Sequence, residues 1–409
     1  MTDLVLRIDA LAPLLFRDAR PFTGTSDETR AQSLDFPPPS AVIGFIRTTI
    51  GNALGWEWAP DQADAARRIR CVSSWFVRES STSDDIIVPA PADAVPYRDE
   101  SDGTCRLMRL APQTSAGECL MPDGLLPVVA TRDDKPLSGY RYWGWDDMTS
   151  WLLGTDDVSP AQIPPPPVDE RVQIGISPKT QTAENGKLFT VEYRDWESGD
   201  NSTPNPGESD GSASRTHARW VQFVHVDVPD TLPGYDAGVL RNLSAVGHFG
   251  GERRPVAVTA SPGLGMKPSC DGLIPELTST THVTCRLLSP GLFSSGWKPG
   301  WIGDPSDPSL IAHPPERLAV LAGAKLVSAV VPRHETVAGW DHDLRARGPK
   351  ATRWAAPAGS VYFLELAAPF TEQQVRDVWL ASISDDEQDR LDGFGKTLWG
   401  VWKRKGDPQ

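Results

Sequence analysis

DLVLRIDA, residues 3–10, alternates polar and apolar positions, with Leu4, Leu6 and Ile8 on one side. A period of two marks a strand with one buried face. The chain then enters LLFRDARPF (14–22), where Arg17, Asp18 and Arg20 interrupt an otherwise apolar run. Two arginines at a strand exit must stay solvated, pair with acids or hold something negative. In FPPPSAVIGFIRTTIGNALG (36–55), Ser40 stands where a helix would be capped after the prolines. Val42, Ile43, Ile46, Ile50, Ala53 and Leu54 recur at helical spacing, and Gly55 suits the stop. Arg47 lies off that stripe. Further on, WVQFVHVDV (220–228) reads as a strand and GYDAGVLRNLSAVG (234–247) as a second short helix. GGERR (250–254) and the strand PVAVTA (255–260) follow. Strand, helix, strands, helix, strand is the order of a ferredoxin-like sandwich, here with large insertions.

The second half repeats the pattern. THVTCRLLS (281–289), LAGAKLVSAVV (321–331), GSVYFLELA (359–367) and TLWGVW (397–402) read as strands. FTEQQVRDVWLASI (370–383) reads as a helix, with Thr371 as cap, Gln374 completing a capping box and Phe370 stapling onto Val375. Local text also recurs. Leu11-Ala-Pro-Leu-Leu-Phe16 lies beside Leu288-Ser-Pro-Gly-Leu-Phe293, each followed by a basic residue and proline. Gly250-Gly-Glu-Arg-Arg254 matches Gly393-Phe-Gly-Lys396 in place. Internal duplication is the economical reading. The expected class is α+β, with tandem ferredoxin-like (RRM-like) domains at 1–265 and 275–409 and long loop and hairpin insertions.

Bulk properties set bounds. The 409 residues can bury a sizeable core, and 39% hydrophobic with 23% charged is ordinary for a globular chain. The 38 prolines imply ordered loops and short elements rather than a helical bundle. The start, with Asp3 and no basic region, is not expected to be a secretory signal, and no apolar run is long enough for a membrane span. Five scattered cysteines without a C-x-x-C fit free thiols in a reducing cytoplasm. The net charge of −14 argues against a free-standing nucleic-acid binder. Much of that charge sits in insertions, however. Asp195–Ser214 holds five acids and no base, and reads as a solvated, disordered loop. Asp123–Pro167 reads as loop as well.

GGERR is the sharpest local signal. Its glycines permit a turn at positive φ whose amides can face an anion, and Arg253 and Arg254 are bidentate phosphate partners. The plainer alternative is a surface turn with arginines paired to Glu252 or another acid. LFRDAR has the same alternative, with Asp18 pairing Arg17 or Arg20. Under the ferredoxin-like order, both arginine segments converge on one end of the sheet. RVQIGISPKTQTAENGKLFTVEYR (171–194) reads as a hairpin with Lys179, Gly186 and Lys187 on its tip. Such a tip either reaches along RNA or a partner subunit, with Lys179 as the RNA contact, or is an ordinary exposed loop. GFGKT (393–397) lacks the first P-loop glycine, since Arg390 stands there, and precedes a strand. His334-Glu335 lacks the second histidine of a zinc protease, with Ala338 in its place. No metal and no cofactor are expected. His248 is the one histidine kept as a candidate general base.

Taken in order, LLFRDARPF, FPPPSAVIGFIRT, SPKTQTAENGKLFTVEY, FGGERRPVAV, SPGLFSSGWKPGW and WDHDLRARGPKATRWAAPAGSVYFLEL resemble the third subunit of the Cmr effector complex. That complex is the type III-B CRISPR machinery, and the subunit belongs to the RAMP superfamily. The resemblance runs from about residue 4 to residue 402 and leaves out the acidic and Pro-rich insertions. It implies a cytoplasmic, non-catalytic antiviral subunit that holds the 5′ tag of the CRISPR RNA. It also implies that the subunit joins the large polymerase-like subunit to the backbone RAMP subunits. RNA contacts would fall at Arg17, Arg20, Ser40, Arg47, Gly250, Gly251, Arg253, Arg254, Trp297 and Lys298, with Trp297 stacking on a base. Two alternatives stay open: a RAMP endoribonuclease using His248 with Arg253 or Tyr142 with a lysine, and a purely protein-bridging subunit.

Overall fold

The computed structural model describes residues 1–20, 29–81, 83–101, 103–113, 124–130, 132–197, 218–261, 267–304, 307–341 and 348–403. The principal elements in chain order are strand β1 (Thr2–Ala10), helices α1 (Pro39–Ala53) and α2 (Pro60–Ala66), and strand β2 (Arg70–Glu79). Helix α3 (Trp145–Leu152) and strands β3 (Val168–Ile176), β4 (Ala183–Arg194) and β5 (Arg219–Val228) come next. Helix α4 (Ala237–Arg241) precedes strands β6 (Ser244–Phe249) and β7 (Arg254–Ala260). Strands β8 (His282–Leu287), β9 (Lys325–Val330) and β10 (Val361–Glu365), helix α5 (Glu372–Val378) and strand β11 (Thr397–Val401) complete the set. The fold is mixed α/β with several antiparallel sheets and more strand than helix.

Two compact units divide the chain. The first comprises Met1–Asp85, Pro165–Gly265 and Thr336–Arg353. Its main sheet runs β6-β7-β1-β5-β2, with β1 antiparallel to both β5 and β7. The alternation in β1 does what it predicts. Leu4, Leu6 and Ile8 are buried, as are Val42, Ile43, Ile46 and Ile50 on α1. A smaller sheet pairs β3 with β4, and β4 with Arg30–Ala31. Val191 and Tyr193 of β4 close on Leu15 and Ala31.

The second unit comprises Ile86–Pro164, Met266–Glu335 and Trp354–Gln409. Its sheet orders β9-β10-β8-β11, extended beyond β9 by Asp307–Ala312 and Ile302–Asp304. The capping box of α5 forms, since the Gln374 amide reaches Thr371 Oγ1 and the Thr371 amide reaches Gln374 Oε1 at 2.8 Å. Asp93 lies fully buried in this unit and accepts from Arg286 Nη2 at 2.8 Å and Trp151 Nε1 at 3.0 Å. Arg109 stacks over the Trp151 ring at 3.4 Å.

Several expectations are corrected. A division at residues 265–275 leaves 86–164 with the N-terminal half, whereas these residues cluster with the second unit, and 336–353 cluster with the first. Asp123–Pro167 is not all loop, because α3 lies within it with Met148, Trp151 and Leu152 buried. The helix expected over 234–247 stops at Arg241, and Ser244–Phe249 becomes an edge strand. Pro21 and Phe22, and residues 198–214 of the acidic stretch, lie outside the described residues. Among the described residues no helix is long and apolar enough to cross a membrane.

Candidate nucleic-acid interface

The two arginine segments meet in the first unit. After β1, the chain bridges Leu14 to Arg194 and Arg17 to Ser33, which buries Leu14, Leu15 and Phe16 and leaves Arg17 and Arg20 exposed. GGERR forms the tip of the β6–β7 hairpin, not the junction of a helix and a strand. The Gly251 amide donates to Leu15 O at 2.7 Å. Gly250 has φ +75°, and a Cβ there would lie 2.5 Å from Leu15 O and 2.9 Å from the Phe16 ring. Only glycine tolerates both the angle and the approach. Phe16 meets Phe249 edge-on at 4.9 Å. The backbone of one arginine segment therefore positions the other.

Glu252 and Arg253 both stand at positive φ, 56° and 53°. For residues with side chains this conformation costs free energy, and surrounding contacts must hold it. Tyr193 supplies one such contact by donating its hydroxyl to the Glu252 carboxylate. Burial, and then the hydrogen bond to Glu252, push the Tyr193 phenol up to about 12. Arg254 supplies another. Its Nε donates to Pro13 O at 2.7 Å and its guanidinium lies 4.9 Å from the Tyr193 ring centre. Arg254 thus stitches the turn to the strand exit. Arg253 is exposed, with no side-chain partner among the described residues.

Each remaining expected contact has a definite place. Arg20 pairs with Asp18 at 3.1 Å and donates to Gln32 Oε1 at 2.8 Å, while Arg17 Nη2 donates to Arg20 O at 3.2 Å. The Gly251 amide is spent on Leu15 and is not aimed at an anion. Ser40 is not the cap of α1, because Pro38 holds that position and no side chain caps the helix. Arg47 is buried and donates to Ile69 O at 2.9 Å and Arg67 O at 3.1 Å, so it secures the segment after α2. Lys179 is exposed in the turn between β3 and β4. Lys187 is not on the tip; it lies within β4 and pairs with Glu184.

Trp297 and Lys298 belong to the second unit. Trp297 is half-buried and its carbonyl accepts from Tyr362 Oη at 2.6 Å. Lys298 donates to Ile302 O, and burial lowers its pKa, opposed by Asp385. Asp385 gathers the same loop by accepting from the Ser294 amide at 2.7 Å and the Gly300 amide at 2.9 Å. The repeated text occupies repeated places. Leu11 N donates to Pro255 O at 3.1 Å, and Leu288 N to Lys396 O at 2.7 Å.

Residues not singled out by sequence reading surround a cleft of about 760 Å³ in the first unit. Arg7 there bonds Asp9 at 2.7 Å and also pairs with Glu79, and Arg219 reaches Glu79 at 2.9 Å. The hydrogen bond to Arg7 is the main cause that lowers the Glu79 carboxyl. These are self-satisfied ion pairs. Their only sequence signal is opposite charge at facing strand positions.

The family model of the CRISPR-associated protein Cas_Cmr3 matches residues 6–402. The chain belongs to this Cmr3 family. Among curated proteins no match is found. A chain in a cryo-EM structure of type III-B Cmr-beta bound to cognate target RNA and AMPPnP is 14% identical, with 88% of this chain and 86% of that chain covered at a TM-score of 0.43. A chain in the structure bound to cognate target RNA alone is 15% identical, with the same coverage and a TM-score of 0.42. A chain of the Csm3–Csm4 subcomplex from the type III-A interference complex is 8% identical, covering 98% of this chain and 100% of that chain at a TM-score of 0.34.

Proposed function

We propose that this Cmr3-family chain is a non-catalytic, RNA-holding subunit of a type III-B CRISPR ribonucleoprotein. It grips the 5′ tag of the CRISPR RNA and joins the large polymerase-like subunit to the backbone RAMP subunits. One observation carries the reading. The hydrogen bond from Gly251 to Leu15 brings the strand exit and the β6–β7 turn together, so that Arg17, Arg20 and Arg253 are presented from adjoining segments. Guanidinium groups on a shaped backbone suit phosphate oxygens. Within each unit, four antiparallel strands take the order fourth-first-third-second, β7-β1-β5-β2 and β11-β8-β10-β9. This order supports tandem ferredoxin-like units of the RAMP type.

The acidic total is compatible with the proposal if the RNA is held within an assembly. The isolated chain then binds RNA weakly, with a steep dependence on salt. Bridging to protein partners is supported by Val172, Ile174, Ile176 and Leu188, all more than half exposed on the β3–β4 hairpin. The test is to co-express the chain with its neighbouring genes, isolate the complex by a tag on this subunit, and map ultraviolet crosslinks by mass spectrometry. Crosslinks from the 5′ end of a small RNA to peptides holding Arg17–Arg20 or Gly250–Arg254 are expected. A complex with RNA crosslinked elsewhere would leave a bridging subunit. Metal-independent cleavage of repeat RNA, abolished by His248→Ala, would make it a nuclease instead.

A further inference from the structure

Trp354 is 66% exposed, an unusual display for the largest side chain. Its ring is not loose. His334, also exposed, stacks on it with ring centres 4.6 Å apart and planes 28° from parallel. The backbone beneath is anchored, because Ala355 and Ala356 are buried and Ala356 exchanges two 2.8 Å hydrogen bonds with Gly291. Gly291 begins the loop that carries Trp297 and Lys298. Beside His334 stands Arg333, exposed and with no side-chain partner among the described residues. A flat ring steadied on one face, held on fixed backbone and next to a cation, is the surface that stacks unpaired bases of single-stranded nucleic acid. An apolar protein partner would gain little from the charges of Arg333 and Glu335 beside it, whereas a base with its phosphate uses both the ring and the guanidinium.

We infer that Trp354, steadied by His334 and flanked by Arg333, is a base-stacking platform for single-stranded RNA in the second unit, whereas the Arg17 and Arg253 segments belong to the first. The inference rests on the RNA-holding reading and adds a contact of different chemistry to it. Phosphate contacts ignore the presence of a base, whereas stacking requires one.

The difference supplies the test. The full chain is titrated at low salt with a fluorescein-labelled oligoadenosine and with an abasic oligomer of equal length, and the tagged complex is crosslinked in parallel. Trp354→Ala is expected to weaken oligoadenosine binding about 5- to 100-fold and to leave abasic binding unchanged. Trp354→Phe keeps most of the affinity, and the Trp354 peptide crosslinks to RNA in the complex. Arg253→Ala weakens both oligomers alike. Wild-type oligoadenosine affinity in Trp354→Ala, with no crosslink at its peptide, would overturn the platform. If Arg253→Ala still lowered binding of both oligomers, the RNA-holding reading would survive. Absence of RNA crosslinks from every peptide of the chain in the complex would overturn both. Loss of a protein subunit from the Trp354→Ala complex, with RNA crosslinks unchanged, would make the surface a protein contact and overturn the platform alone.

Discussion

The amide of Gly251 donates to the carbonyl of Leu15 at 2.7 Å, and this bond fixes one arginine segment against the other. Gly250 makes the approach possible, with φ +75° and no room for a Cβ against Leu15 O. Gly250→Ala should therefore cost about 1–3 kcal/mol, as strained backbone positions do. It should also reduce RNA crosslinks at both segments. Gly44 is the control. It lies within α1, where a Cβ would meet no described atom outside its own helix backbone within 4 Å, so Gly44→Ala should stabilise by about 0.5–1 kcal/mol. Urea denaturation of both variants checks the contrast.

Tyr193 gives the same site a pH signature. Its phenol is pushed up to about 12, first by burial and then by the bond to Glu252. The folded state thus holds the proton more tightly than the unfolded chain, where tyrosine titrates near 10. The stabilisation is complete below about pH 10 and is lost as pH rises from there through about 12. In Tyr193→Phe that segment of the pH profile should flatten relative to wild type. The comparison of denaturation midpoints from pH 8 to 12 separates this group from the other tyrosines.

Asp93 and Arg286 are 0% and 2% exposed, so neither charge can reach water if the other is removed. Asp93→Ala should cost about 3–5 kcal/mol, because it strands a buried guanidinium. The double variant Asp93→Ala/Arg286→Met should lose less than Asp93→Ala alone, since the uncompensated charge is gone. A thermal melt of the two proteins decides it. Equal or greater loss in the double variant would contradict the argument.

These cases show what the sequence made legible. Leu4, Leu6 and Ile8, the α1 stripe and the Thr371–Gln374 box are local patterns, and local hydrogen bonds or a single buried face decide them. Residues 244–249 depart from the expected helix: Asp236 caps a helix that ends at Arg241, its Oδ1 accepting from the amides of Gly238 and Val239. Ala245 and Val246 instead pair with Val258 and Ala257 of β7, across the hairpin that the Gly250-Gly251 turn closes. Arg47 was misplaced for a different reason. Its partners Arg67 O and Ile69 O follow α2, about one helix and a loop later, and no spacing within α1 announces them. The strand-exit and GGERR segments were expected to converge through topology alone. Which arginines stay exposed depended on Tyr193 and Glu252, contributed by separate hairpins.

Arg253 and Arg47 therefore allow a decisive contrast. Both lie in segments proposed to contact RNA, yet Arg253 is exposed with no side-chain partner among the described residues, whereas Arg47 is buried on carbonyl oxygens. If Arg253 meets a phosphate, Arg253→Ala should leave the melting temperature unchanged and weaken RNA binding regardless of base sequence. It should also flatten the dependence of log K on log salt by about 0.7, the share of one phosphate on a single strand. Arg47→Ala should do the reverse. Two carbonyls lose a charged donor, so stability should fall by about 1.5–3 kcal/mol while the salt slope of the folded protein is retained. Titrations at several salt concentrations, run beside urea denaturation, measure both quantities for each variant. An unchanged slope in Arg253→Ala would remove this residue from the phosphate contacts, and a changed slope in Arg47→Ala would mean that its guanidinium leaves the carbonyls of Arg67 and Ile69 when RNA is bound.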